Sequence, residues 1–153
     1  MTKKEIKNEA KKYILNGYSW DIISKNPNTS EDLLKKYAKK VNWEYVSMYR
    51  TLSEEFIKKN KRKVDWKLIS ACQKLSEEFI EKYSKKVDWK WISACQTLDE
   101  AFIEKYAKKV NWDYIFQKQK LSDAFVEKYA YKVRAGLVKK YKQGGLMFNV
   151  KTA

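Results

Sequence analysis

Short apolar blocks separated by charged residues run along the chain. In segment 75–97, LSEEFIEKYSKKVDWKWISACQT, Phe79, Ile80 and Tyr83 are spaced to share one face of a helix. Ser76 precedes them and is a residue type that caps helix N-termini. Glutamates fill the first turn and lysines close the last one, as the helix dipole favours. This pattern predicts a short α-helix.

A second apolar block in the same segment predicts a second short helix. Asp88 is a good N-cap, and Trp89 takes the first helical position after it. Val87 precedes the cap and Ile92 is the fourth helical residue, which is the spacing of a hydrophobic staple. The segment is therefore expected to form two helices joined by a basic turn.

The same 23-residue pattern recurs along most of the chain. A two-helix unit of this size cannot bury its apolar face alone, so neighbouring units are expected to stack. The sequence therefore predicts an all-α fold, a right-handed α-solenoid of about six two-helix repeats that fills residues 1–143. Repeats 1 to 6 are residues 6–28, 29–51, 52–74, 75–97, 98–120 and 121–143.

The last repeat departs from the pattern. Ala135 stands at the position of the tryptophan, and Arg134 stands at the position of the Asp or Asn cap. The apolar tail GGLMFNVKTA (144–153) follows. Terminal repeats are commonly atypical because they close the core, so the tail is expected to cap the array. The alternative is that the tail joins a partner subunit and supports an oligomer.

Two motifs resemble known repeat families. NPNTSEDLLKKYA (26–38) resembles the leucine-rich-repeat-variant pattern, whose units pair an α-helix with a 3₁₀-helix. The motif L-S-E-E-F-I-E-K-Y…K-V-D-W…I-S resembles tandem repeats in uncharacterised proteins of phages and giant DNA viruses, over roughly residues 29–143. The resemblance implies a helical solenoid and a viral or mobile-element origin. It implies no activity.

The composition removes many kinds of chemistry. There is no His, and two Cys and four Gly are too few for a four-thiolate metal site or a phosphate-binding glycine loop. No apolar run suits a signal peptide or a membrane span, so a cytoplasmic protein is expected. The acidic pairs that begin the first helices are interpreted as cap and dipole partners rather than catalytic carboxylates. We expect neither an enzyme nor a cofactor.

Basic residues form columns that recur once per repeat. With 34 Lys+Arg against 19 Asp+Glu, the net charge of +15 favours an anionic partner. Only three of these cations are Arg. The low Arg content favours contacts to a nucleic-acid backbone over sequence-specific contacts to bases. The alternative is that the lysines only form a solvated face. The first column is Lys36, Lys59, Lys82, Lys105 and Lys128, the second is Lys40, Lys63, Lys86, Lys109 and Lys132, and the third is Lys39, Arg62, Lys85 and Lys108.

Two further columns bear on recognition. The tryptophans that begin the second helices, Trp20 to Trp112, are interpreted as core, with base stacking as the alternative. Large residues two positions later vary between repeats and lie near polar ones, which predicts a specificity face for a nucleotide or peptide, or else a half-buried helix edge. This face comprises Tyr45, Trp91, Tyr114, Ser47, Ser70, Ser93, Arg50, Gln73, Gln96 and Gln119.

Cys72 and Cys95 occupy one column in successive repeats. Helices in contact lie about 8–10 Å apart, beyond the ~7 Å that a disulfide can bridge. Buried, reduced thiols are therefore expected.

The leading hypothesis is a non-enzymatic repeat protein that binds a polyanion, RNA or DNA backbone first, and acts on host machinery or host defence. One alternative is an oligomeric sponge for a nucleotide second messenger. Another is an inhibitor that docks on an acidic surface of a host protein.

Overall fold

The computed structural model describes residues 1–143. The regular secondary structure of this part of the chain is entirely helical. In this part of the chain no helix is long and apolar enough to cross a lipid bilayer. The helices are α1 (Lys3–Leu15), α2 (Trp20–Lys25), α3 (Glu31–Lys36), α4 (Trp43–Tyr49), α5 (Glu54–Lys59), α6 (Trp66–Cys72), α7 (Glu77–Lys82), α8 (Trp89–Cys95), α9 (Glu100–Lys105), α10 (Trp112–Lys118), α11 (Asp123–Tyr129) and α12 (Ala135–Lys142), with one 3₁₀-helix at Ala130–Lys132. Each predicted repeat thus contributes one helix pair.

The repeats form two compact units, Met1–Gln73 and Lys74–Ala153, and the second is described as far as Gln143. In the first unit α4 packs between α2 and α6, and in the second α10 packs between α8 and α12. Second helices of successive repeats therefore stack, which confirms an all-α repeat solenoid. The right-handed sense stays a prediction, and the predicted capping tail lies outside the described residues.

The predicted helix caps are confirmed. Ser76 accepts a hydrogen bond from the backbone N–H of Phe79 at 3.2 Å, and Asp88 accepts from Trp91 at 3.2 Å. The residues Ser53, Asp99 and Ser122 cap α5, α9 and α11 in the same way. Helices α2 to α11 are only six or seven residues long, so a cap satisfies a large share of their free N–H groups. Local sequence therefore fixes where these capped helices begin.

The acidic residues that begin the first helices also tie successive repeats together. Glu31 accepts hydrogen bonds from both the backbone N–H and the hydroxyl of Ser53, at 2.9 and 3.1 Å. Glu100 accepts the same two hydrogen bonds from the backbone N–H and the hydroxyl of Ser122. The interpretation of these acids as cap and dipole partners within one helix was incomplete, because the carboxylates of Glu31, Glu77 and Glu100 also bind the N-cap residue of the next repeat.

The core lies between the two helices of each repeat and between stacked repeats. Ile57 of α5 and Ile69 of α6 are completely buried, as are their equivalents Ile80 and Ile92. Burial of an isoleucine side chain is worth about 2 kcal/mol. Burial of these regularly spaced isoleucines is therefore the main interaction that holds each helix pair together.

Candidate functional site: a basic edge of helix-connecting turns

The turns that join the first helix of a repeat to the second are lysine-rich, and their Lys and Arg side chains are exposed. They occupy residues 37–40, 60–63, 83–86 and 106–109, and none contains an acidic residue. Lys105 at the end of α9 pairs with Glu81 near the end of α7, so the lysine-rich C-terminal ends of these two first helices lie side by side. All fourteen residues of the three predicted basic columns are exposed, and we call them the basic edge.

The first column of the basic edge is largely engaged with the protein itself. Lys105 binds Glu81 of the preceding repeat at 2.6 Å, and this hydrogen bond raises the pKa of Lys105. Lys128 pairs with Glu104 in the same way, and Lys59 pairs with Glu55 at 3.1 Å. Lys36 donates to the carbonyl of Lys3 at 3.2 Å, and within residues 1–143 Lys82 makes no ion pair. Acidic neighbours therefore offset much of this column's charge.

The second column covers the tryptophans. The Nζ atoms of Lys40, Lys63 and Lys109 lie 5.5, 5.4 and 5.4 Å from the ring centroids of Trp20, Trp43 and Trp89. Each lysine comes from the repeat after the tryptophan that it covers. Such cation–π contacts at partly exposed sites are worth about 0.5–1 kcal/mol. These lysines thus help to join neighbouring repeats.

The side chains of the third column make no polar or cation–π contact with the rest of the described chain. Its members are Lys39 and Arg62 in the first unit and Lys85 and Lys108 in the second. Across residues 1–143 none of the four makes an ion pair, a hydrogen bond or a cation–π contact through its side chain. We call them the free-cation column. Sequence alone could not separate it from the other two columns, because all three show the same lysine periodicity.

The tryptophan column is structural. Trp89 donates its Nε1–H to the carbonyl of Ser84 at 3.0 Å, and its ring lies 4.8 Å from Tyr106 and 6.3 Å from Phe102. Trp43 and Trp112 make the same indole hydrogen bond to the residue five positions earlier. The rings are half-buried between a turn and the next repeat. This environment agrees with the core interpretation.

Seven of the ten predicted specificity-face residues are buried, so that prediction was wrong for them. They are Ser47, Ser70, Ser93, Arg50, Gln73, Gln96 and Gln119. Most of their polar groups hydrogen-bond to the backbone of neighbouring helices and turns. Gln119, for example, accepts from the N–H of Leu98 at 3.0 Å and donates to the carbonyls of Ser93 and Gln96 at 3.3 and 2.8 Å. Buried polar groups of this kind stabilise the stack and are not available to a ligand.

Arg50 takes the place of this glutamine in repeat 2. Its two terminal nitrogens donate to the carbonyls of Asn26 and Thr29. Burial lowers the pKa of Arg50, although an arginine stays charged under such conditions. In repeat 6 the hydroxyl of Tyr141 replaces the glutamine amide. It accepts a hydrogen bond from the N–H of Leu121 at 2.6 Å and donates one to the Leu121 carbonyl at 3.0 Å.

The three aromatic members of the predicted specificity face are half-exposed. The Nζ of Lys25 lies 4.0 Å from the ring of Tyr45, and the Nζ of Lys90 lies 5.9 Å from Trp91. Tyr114 occupies the equivalent position of α10. A role for these rings in recognition stays a prediction.

Neither cysteine forms a disulfide within residues 1–143, and both are exposed, so the prediction of buried thiols was wrong. Cys72 and Cys95 are the last helical residues of α6 and α8. Partial burial raises the pKa of the Cys72 thiol, which keeps it protonated.

Within residues 1–143 no group of three Cys, Asp or Glu side chains is arranged to hold a metal ion. No protein-family model, curated protein or solved structure matches this chain. The resemblance to viral tandem repeats and to leucine-rich-repeat variants stays a prediction.

Proposed function

We propose that this protein is a non-enzymatic repeat protein that binds the backbone of a nucleic acid along its basic edge, with the free-cation column making the phosphate contacts. The proposal rests on one observation: Lys39, Arg62, Lys85 and Lys108 are exposed, lie in turns without acidic residues and have no side-chain partner within residues 1–143. Within each unit the two unpaired cations, one repeat apart, repel each other and are stabilised by a nearby anion.

The contacts of the other two lysine columns support the choice of the free-cation column as the phosphate-binding surface. Lysines that pair with glutamate or lie over tryptophan already have favourable contacts, so binding a phosphate would first disrupt those contacts. The free-cation column loses only its hydration. Lysine binds phosphate as a point charge rather than as a geometric fork, so the expected binding is sensitive to salt and only weakly selective for sequence.

Binding of a labelled single-stranded oligonucleotide at low salt tests this proposal. A variant in which Lys39, Arg62, Lys85 and Lys108 are all changed to Gln loses four positive charges from the free-cation column. We expect its affinity to fall by about 100-fold or more, since each phosphate contact contributes to counterion release.

The matched control removes four positive charges from elsewhere. Lys4, Lys7, Lys11 and Lys12 lie exposed on α1, and their change to Gln lowers the net charge by the same amount. We expect this control to lose less than about tenfold, because it changes only the long-range field. Equal losses in both variants would show that net charge, rather than the free-cation column, governs binding. No binding by the wild-type protein would reject a nucleic-acid partner and direct the search to acidic protein surfaces.

A further inference from the structure

An open groove of about 740 Å³ lies at the end of repeat 6. Its lining includes Tyr131, Val133 and Val138, which give it an apolar floor. Tyr131 stands where the preceding repeats carry the free cation, and it is 75% exposed. The Nζ of Lys132 lies 5.1 Å from the Tyr131 ring. An aromatic ring therefore replaces the cation at the end of the column.

The groove lies where the other repeats hold an indole. Trp112 donates to the carbonyl of Ala107, five residues earlier, at 3.0 Å. Repeat 6 has Ala135 at the tryptophan position, and Ala130 is the residue five positions earlier. Both alanines line the groove. The repeat geometry therefore leaves a slot that fits a flat ring with an N–H donor, and repeat 6 does not fill that slot itself.

Two exposed lysines line the same groove. Lys139 stands at the position of the buried Ser93, and Lys142 stands at the position of the buried Gln119. Lys142 lies 3.4 Å from Glu127, while Lys139 makes no ion pair within residues 1–143. Covering these ammonium groups with an apolar segment would be unfavourable, because a buried charge needs a partner.

We propose that this groove binds an unpaired base of a single-stranded nucleic acid. The base occupies the slot of the missing indole and stacks against Tyr131, and Lys139 holds a flanking phosphate. Adenine, guanine and cytosine all carry an amino group that can donate to a carbonyl as the indole N–H does. This inference rests on the proposed function, since the same strand would continue to Lys108 in the same unit.

A substitution that fills the slot with an indole tests the proposed base site. Ala135→Trp restores the indole of the other repeats, and Gly136→Trp is the matched control because a Cβ atom at Gly136 meets no atom within 4 Å. Binding is measured to an oligonucleotide that contains amino bases and to an abasic sugar–phosphate oligomer of equal length. We expect the wild-type protein and Gly136→Trp to prefer the base-containing strand by about tenfold. Ala135→Trp should bind both strands with the affinity that the wild-type protein has for the abasic one.

Each outcome is decisive. Equal wild-type affinity for the two strands would overturn the base site and leave the backbone interface standing. A preference that survives in Ala135→Trp would place the base elsewhere, and would leave the groove to another occupant such as residues 144–153. Binding of neither strand at low salt would overturn both this inference and the proposed function.

Discussion

The hydroxyl of Ser93 accepts a hydrogen bond from the backbone N–H of Asn111, 18 residues later, at 2.9 Å. The same hydroxyl donates to the carbonyl of Trp89 at 2.6 Å. Asn111 is the N-cap of α10, so the serine of one repeat fixes the start of the second helix in the next. Ser47 and Asp65 make the same link at 3.0 Å in the first unit.

Loss of the Ser93 hydroxyl should destabilise the protein. In Ser93→Ala the N–H of Asn111 is buried without its partner, so we expect the free energy of unfolding to fall by about 1–3 kcal/mol. Urea denaturation followed by circular dichroism measures this loss. Ser84→Ala is the control, because Ser84 acts through its carbonyl and its hydroxyl makes no hydrogen bond within the described chain. Equal stability of Ser93→Ala and Ser84→Ala would contradict the link.

Gln119 should prove to be a structural residue. Gln119→Leu removes three hydrogen bonds and leaves the N–H of Leu98 unpaired in the interior, so we expect a loss of about 3 kcal/mol. Gln117→Leu makes the same change two residues earlier in α10, where the side chain is only half-buried, and should cost less than about 1 kcal/mol. Thermal unfolding of both variants gives the comparison. A Gln119→Leu protein as stable as Gln117→Leu would mean that the amide is not needed.

The two tryptophans of α8 should behave differently on truncation. Trp89→Ala loses the contacts to Phe102 and Tyr106 and the hydrogen bond to Ser84, so we expect about 3 kcal/mol of destabilisation. Trp91→Ala, two residues later, should lose less than half as much. A Trp89→Ala protein that keeps its stability and loses only oligonucleotide binding would show instead that the tryptophan column is a binding surface.

The carboxyl group of Glu104 should titrate at unusually low pH. Hydrogen bonds from Lys128 and Tyr129 lower its pKa below the ordinary value for glutamate. Because the folded protein favours the carboxylate, this contribution to stability is present above the ordinary pKa and is lost as pH falls through the lowered one. A carboxyl-carbon NMR titration measures the shift directly. Lys128→Gln should raise the pKa, whereas Lys132→Gln should not, and unchanged titration in Lys128→Gln would contradict the assigned cause.

The helices were predictable because their signals are local. Ser76 and Asp88 sit next to the helices that they cap, and the apolar spacing that follows each of them is complete within one turn or two. The burial of Gln119 was not predictable in this way, because its partners lie 21 to 26 residues earlier. A polar residue seen without those partners is naturally assigned to the surface, and this error produced most of the predicted specificity face.

One signal for the buried polar column was present in the sequence. Ser93 and Asn111 occur together, and where Phe116 replaces the serine, Arg134 replaces the capping residue 18 positions later. Paired changes of this kind indicate contact between the two positions. The division of the lysines into engaged and free columns had no such signal, because it depends on where glutamate and tryptophan side chains lie in three dimensions.

The salt dependence of oligonucleotide binding tests the central claim most directly. The slope of log Kobs against log salt concentration counts the phosphates that a protein neutralises, at about 0.7 per contact for single strands. The Gln variant of Lys39, Arg62, Lys85 and Lys108 should therefore reduce the wild-type slope by up to about 3, and the control variant of α1 should leave it nearly unchanged. A wild-type slope that survives the loss of all four residues would contradict the claim that the free-cation column contacts the backbone.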